Sequence, residues 1–307
     1  MLSYAVRRLL EAIPTLLVIV ALAFFLMHAA PGGPFDSERV LPPEIEANLK
    51  AAYNLDKPVW QQFLIYLGNA VQGDFGPSFT YKDFTVSELL GTGLPVSMRL
   101  GLTAILLAVI VGCTMGIIAS MRQNTAADYT VMGFAMVGIT IPNFVMAPLL
   151  TLIFGIYLGL LPVAGWGGGS IQNMILPVIA LALPQIAIIS RLTRGGMIEV
   201  LRSNFVRTAH AKGLPERLII WRHTMRAALL PVVSYLGPAI AGLVTGSVVI
   251  EQIFGLPGIG RYFIQGAINR DYTLVMGTVI TYGSLIVIMN LLVDLIYGLL
   301  DPRVRYD

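Results

Sequence analysis

The chain has 307 residues, 56% of them hydrophobic and 12% charged, with a formal net charge of +3 and one cysteine. Soluble domains carry about 25% charged residues, so this composition excludes an ordinary soluble protein and points to one built into a bilayer. The lone thiol, Cys113, excludes an internal disulfide or a cysteine-built zinc site and reads as a small packing residue; the modest positive charge implies no nucleic-acid partner.

Six apolar runs approach the roughly 20 residues that cross about 30 Å of hydrocarbon as a helix. They cover 12–30, 100–121, 131–152, 171–190, 227–250 and 274–300. Barrel strands would be about ten residues long and alternating, so the expected fold class is an all-α integral membrane protein with six transmembrane helices. Arg7, Arg8, Arg122, Arg303, Arg305 and the eight cations between 191 and 226 fall on one side, which the positive-inside rule makes cytoplasmic, with both termini. Arg39, Lys50, Lys57, Lys82, Arg261 and Arg270 fall outside, and Arg99 lies near a helix end. The first apolar run, of about 18 residues, exceeds the 7–15 of a signal peptide, so 1–30 is expected to be a retained anchor helix.

Between the first two runs, 31–94 forms an external segment with eight acids against four bases. It predicts short helices over 41–50 and 59–71, the latter with Trp60, Phe63, Leu64 and Leu67 at helical spacing, then a turn over 73–78. Its length suits a small cap packed on the outer surface better than a simple connector. The block 95–307 holds the remaining five spans. Pro142, Pro148, Pro177, Pro184, Pro231 and Pro238 lie in the third to fifth spans, and Gly112/Gly116 and Gly242/Gly246 give small faces in the second and fifth. Such residues allow close helix approach or kinks around a cavity. No internal repeat stands out.

The most informative stretch is 191–226. Burying its Arg191, Arg194, Arg202, Arg207, Lys212, Arg217, Arg222 and Arg226 at bilayer depth would cost about 2.5–3.5 kcal/mol each, so it lies in water. Gly213 and Pro215 predict a sharp turn into a new helix. Downstream, Leu214, Leu218, Trp221, Met225 and Leu229 recur at three- and four-residue intervals as one apolar stripe; upstream, Met197, Leu201 and Phe205 form a weaker one ending at Ala209 and Ala211. The expectation is helix, glycine turn, helix, lying under the membrane as a docking site for a soluble partner.

The run Arg207-Thr-Ala-His-Ala-Lys-Gly-Leu-Pro215 resembles the EAA loop of ABC importer permeases, in the form used by the oligopeptide and dipeptide group. Ala30-Pro-Gly-Gly-Pro34, Gly73-Asp-Phe-Gly76, Pro95-Val-Ser97, Gly255-Leu-Pro-Gly-Ile-Gly-Arg261 and Asn269-Arg-Asp-Tyr272 are similar to that group's B-type permease subunits, so the likeness covers nearly the whole chain. It implies a type I ABC importer in a bacterial inner (cytoplasmic) membrane. A second homologous permease subunit would complete the channel, two ABC ATPase subunits would carry ATP and Mg, and an external binding protein would deliver peptide. Arg207, Thr208, Ala209, His210, Ala211, Lys212, Gly213, Leu214, Pro215 and Leu218 would then form the ATPase-coupling loop, with Ala209, Ala211, Gly213, Leu214 and Leu218 at the contact. Arg207 and Lys212 depart from the general EAA pattern, which has a glutamate and an acidic residue there. The architecture also serves dipeptides, glutathione or nickel.

No Gly-x-x-x-x-Gly-Lys-Ser/Thr run occurs, so no cofactor is expected on this chain. His28, His210 and His223 form no His-Glu-x-x-His pattern, and no Gly-x-Ser-x-Gly occurs, which leaves no catalytic or metal residues to name. An ion-coupled secondary transporter would need ionisable groups at mid-membrane. Glu11 and Glu251 sit at span ends; Asp294, one turn from Asn290 in the last span, is the exception, with a helix-packing or gating role expected for the pair.

Overall fold

The computed structural model describes the backbone over 2–29 and 53–300 and the side chains over 10–29 and 53–292. The expected helix over 41–50 and the Asp294 side chain lie outside these residues. Among the described residues the chain is helical, with a single antiparallel bridge between Pro77 and Thr85. Five helices are long and apolar enough to cross a membrane, and one bent pair makes a sixth candidate.

Helix α1 (Leu2–Ala29) leans on the bundle from its edge. It turns Leu10, Leu17, Leu22 and Leu26 outward and buries Val20 and Phe24 against Met276. Helix α2 (Val59–Ala70) lies beside it, with Phe63 against Phe24.

Helix α3 (Val86–Met121) starts well before the expected 100. A capping box sets its origin: the Glu88 backbone N–H donates to the Thr85 hydroxyl at 3.2 Å, and the Thr85 N–H donates to the Glu88 carboxylate at 2.9 Å. Two of the helix's orphan donors are thereby satisfied ahead of the apolar run, and helical structure begins there.

The third run is not one helix. Helix α4 (Ala126–Thr140) and helix α5 (Asn143–Leu150, continued by a π-helical turn Thr151–Tyr157) meet at 105°. Pro142 clashes with a helical residue before it, and Ile141 is extended at φ −94°, ψ 118°.

Helix α6 (Ile171–Leu201) runs through the middle of the bundle, without an exposed residue from 173 to 190, and continues past the expected end at 190. Its neighbours approach backbone to backbone. A Cβ on Gly116 of α3 would lie 2.5 Å from Thr193, and one on Gly138 of α4 would lie 2.3 Å from the Leu183 carbonyl.

Helix α7 (Asn204–Ala211) belongs to the basic hairpin. Beyond that hairpin come α8 (Leu230–Val244), α9 (Val248–Ile253), α10 (Ile259–Ile268) and α11 (Tyr272–Leu300). Gly242 and Gly246 part ways: Gly246, at φ +87°, breaks the fifth span between α8 and α9 and packs closely on Ser97 of α3, where a Cβ would lie 3.0 Å from the Ser97 hydroxyl oxygen, while Gly242 has open space beside it.

Two buried carboxylates hold the end of the bundle opposite the basic hairpin. Glu251, 2% exposed, accepts from the Ser97 hydroxyl at 2.6 Å and from the Gly260 N–H at 2.8 Å. Ser97 in turn accepts from the Ile259 N–H at 3.0 Å, so the glycine-rich run 255–261 is folded around one acid. Asp271, fully buried, accepts from the Leu274 N–H in the first turn of α11 and from the Thr80 N–H, both at 3.0 Å, and from the Ser78 hydroxyl at 2.5 Å. These bonds fasten residues 78–80 to the last span, as a packed cap requires. The Tyr81 hydroxyl donates to the Gln265 carboxamide beside them, and burial raises the Tyr81 pKa above its ordinary value.

Candidate functional site

The basic hairpin hangs from α6. After Arg202 the chain turns at Ser203 into α7, and α7 stops at Gly213, whose φ of +71° admits a non-glycine residue only with strain. The Gly213 N–H donates to the His210 carbonyl at 2.9 Å and the Leu214 N–H to the Ala209 carbonyl at 3.3 Å, closing the helix end as a glycine C-cap does. Pro215, extended at ψ 144°, launches the second arm: a turn Glu216–Leu218, a π-helix Ile219–Thr224 and a final turn Met225–Ala228.

Two small cores weld the arms together. Val206, Ala209 and Ile219 are buried with Val200 and Leu214 against them; Met197, Ile220 and Ala228 are buried with Ile117, Leu201 and Met225 alongside. At the second core a Cβ on Gly196 would fall 2.2 Å from the Ala228 carbonyl, so α6 touches the second arm through bare backbone.

The helix-turn-helix shape matches the expectation, but the buried face does not. Leu218 is 36% exposed, Trp221 69% and Phe205 49%, while Ile219, Ile220, Thr224 and Ala228 face inward. The π-helix is the cause. Its wider turn shifts the register of the face, and the fully buried Thr224 hydroxyl donates back to the Ile219 carbonyl, five residues earlier, at 3.1 Å. Of the loop residues singled out from sequence, Ala209 is buried and Leu214 half-buried; Arg207, Thr208, His210, Ala211, Lys212, Gly213, Pro215 and Leu218 are exposed. The accessible surface therefore carries apolar side chains, Phe205, Leu218 and Trp221, among the exposed cations Arg207, Lys212, Arg217 and Arg222.

One ion pair braces the hairpin's stem. Arg194 of α6 donates through Nε and Nη2 to the two oxygens of Asp128 in the first turn of α4, both at 2.7 Å, and Asp128 also accepts from the Asn124 N–H at 2.9 Å. Sequence gave little notice of this pair, because the partners are 66 residues apart and an acid in a first helical turn is common. Asn290, noted from sequence, is exposed on α11. Among the described residues no group of His, Cys, Asp and Glu could hold a metal.

The sequence model described as "Binding-protein-dependent transport system inner membrane component" matches residues 108–306, and its N-terminal companion matches 1–88. The chain is 56% identical over 306 residues to the oligopeptide transport system permease protein OppB of Salmonella typhimurium, covering 100% of both chains. It is 52% identical to OppB of Haemophilus influenzae, again covering 100% of both, and 46% identical to the dipeptide transport system permease protein DppB of Bacillus subtilis, covering 99% of this chain and 98% of that one. A solved structure titled "Crystal structure of an amino acid ABC transporter with histidines" shares the fold, with a TM-score of 0.50 at 18% identity over 71% of this chain and 95% of that one. With its helices long enough to cross a bilayer and its likeness running end to end, the chain belongs to the family of binding-protein-dependent transport system inner membrane components, as a multi-pass permease subunit.

Proposed function

We propose that this chain is one of two permease subunits of an ABC importer for oligopeptides, handed its cargo by an external binding protein and driven by two ATPase subunits. The observation that carries the reading is the 56% identity to an oligopeptide system's permease over the whole length of both proteins. The lower 46% identity to a dipeptide system's permease favours longer peptides over dipeptides as cargo.

In this reading the basic hairpin faces the cytoplasm, and the ATPases, which carry ATP and Mg, grip its exposed side. Large apolar side chains in water are what a protein partner covers, and Trp in particular anchors interfaces. Phe205, Leu218 and Trp221 are the apolar anchors, and the surrounding cations orient the encounter with an acidic cleft. Ala209 acts indirectly, by seating α7 on Ile219. Opposite, residues 53–85 form a cap beside which the binding protein docks.

The test is reconstitution of the permease pair with its ATPases and binding protein in liposomes. ATP-dependent uptake of labelled tri- to pentapeptides, exceeding that of dipeptides and absent when the ATPases are omitted, is the expected result. Uptake by this chain without ATPases, or of dipeptides alone, would overturn the reading.

A further inference from the structure

The exposed side of α8 lacks the bulky apolar side chains that face lipid elsewhere in the bundle. Pro231, Ser234, Pro238 and Gly242 recur along it at three- and four-residue steps, and no bulky hydrophobic side chain of α8 is exposed. Helix α3, by contrast, turns Leu102, Leu106, Ile110 and Ile118 outward. Beside the small-residue face lies a cavity of about 470 Å³, within the roughly 300–1,000 Å³ of ligand sites. Both interrupted spans break at it: Asn143 follows the bend at Pro142, and Ser247 follows the break at Gly246. Gln185 reaches it from near the middle of α6, and the Tyr235 hydroxyl donates to the Gln185 carboxamide oxygen at 2.6 Å. Among the described residues neither the Gln185 N–H₂ nor the Asn143 side chain has a protein hydrogen-bond partner, and no charged residue lines the cavity.

We infer that Asn143, Gln185 and Tyr235 form a neutral hydrogen-bonding station for the peptide main chain on its way through the membrane, which rests on the peptide-importer reading above. Carboxamides offer donors and acceptors together, as every peptide unit does. A charged lining would sort cargo by side-chain charge, through attraction to one sign and unpaired burial of the other. An uncharged one engages what all peptides share. Tyr235 and Gln185 hold each other until cargo displaces their bond.

The reconstituted complex tests this in a Cys113→Ala background, where Asn143→Cys and Ser247→Cys are each exposed to a membrane-impermeant methanethiosulfonate. Both should be modified, and slowed several-fold when tri-alanine is delivered, while Leu106→Cys stays unreactive. Gln185→Leu and Tyr235→Phe should raise the KM for tri-alanine about tenfold, the upper end of what one neutral hydrogen bond contributes, with Gln185→Asn intermediate. Tripeptides with central Lys or Glu should keep their parental rates relative to tri-alanine. Cysteines at 143 and 247 that stay unreactive in every nucleotide state, or that crosslink to the second permease, would overturn the station; so would parental kinetics in both Gln185→Leu and Tyr235→Phe. A parental complex that moves no tri-alanine would instead sink the peptide-importer reading.

Discussion

Arg194 grips Asp128 through two parallel hydrogen bonds of 2.7 Å, tying the stem of the basic hairpin to the first turn of the broken third span. The two partners are unequally buried: Asp128 is 1% exposed and Arg194 27%. Arg194→Ala strands a buried carboxylate and should destabilise by about 3 kcal/mol. Asp128→Ala leaves a guanidinium that can still reach water and should be milder. Apparent melting temperatures in detergent should fall in that order. Arg194→Lys should rescue only partly, because a lysine cannot supply the paired geometry.

Gly213 has open space around the position of a Cβ, so only its backbone angle opposes substitution. Gly213→Ala should cost about 1 kcal/mol of local strain and keep most transport. Proline cannot adopt φ of +71°, so Gly213→Pro should leave membrane insertion and ATP hydrolysis in place while uptake falls about tenfold or more. Leu214→Asp should act likewise, by forcing a carboxylate against the Val206–Ala209–Ile219 core. Parental uptake in both variants would remove the coupling role.

Gly196 is the reverse case, with an ordinary helical backbone and no room. Gly196→Ala must push α6 away from the Ala228 carbonyl, an overpacking of about 1–3 kcal/mol. Hydrolysis per peptide imported should rise, and Gly195→Ala, one residue away with nothing within 4 Å, supplies the control that should not change it.

Asp271→Ala removes the cap of α11 and strands the buried Ser78 hydroxyl, while the Thr80 N–H keeps the Ser78 oxygen as an acceptor at 3.3 Å. The cap contributes about 1 kcal/mol and a buried unsatisfied donor adds about 1–3. Limited proteolysis of the purified complex should then cut within 53–85, where the parental protein resists; equal resistance would show that the cap is held by other contacts.

The membrane spans and the hairpin were readable in the sequence because both rest on local chemistry. Apolar length marks a span, and Gly213 with Pro215 marks a turn. The interruptions were less readable. Pro142, Pro148, Pro177 and Pro184 look alike in one dimension, yet only Pro142 separates two helices; Pro177 and Pro184 sit inside a continuous α6. What distinguishes them is tertiary, since the proline-bearing part of α6 is enclosed by neighbouring helices while its helix stays continuous. The same holds for the hairpin's buried face, where a π-helix that no period announces turns Trp221 to solvent and Ile220 inward. Thr85-x-x-Glu88 was a legible start signal for α3, masked by the long apolar run that follows it.

Helix α6 spans about 46 Å at 1.5 Å per residue, against about 30 Å of hydrocarbon. The excess of roughly 16 Å is the length of the last turns, from Arg191 onward, and is enough to carry the hairpin clear of the acyl chains on a continuous helix. The ATPases proposed as partners would dock there without wading through lipid headgroups, and their grip on the hairpin should then be indifferent to bilayer composition.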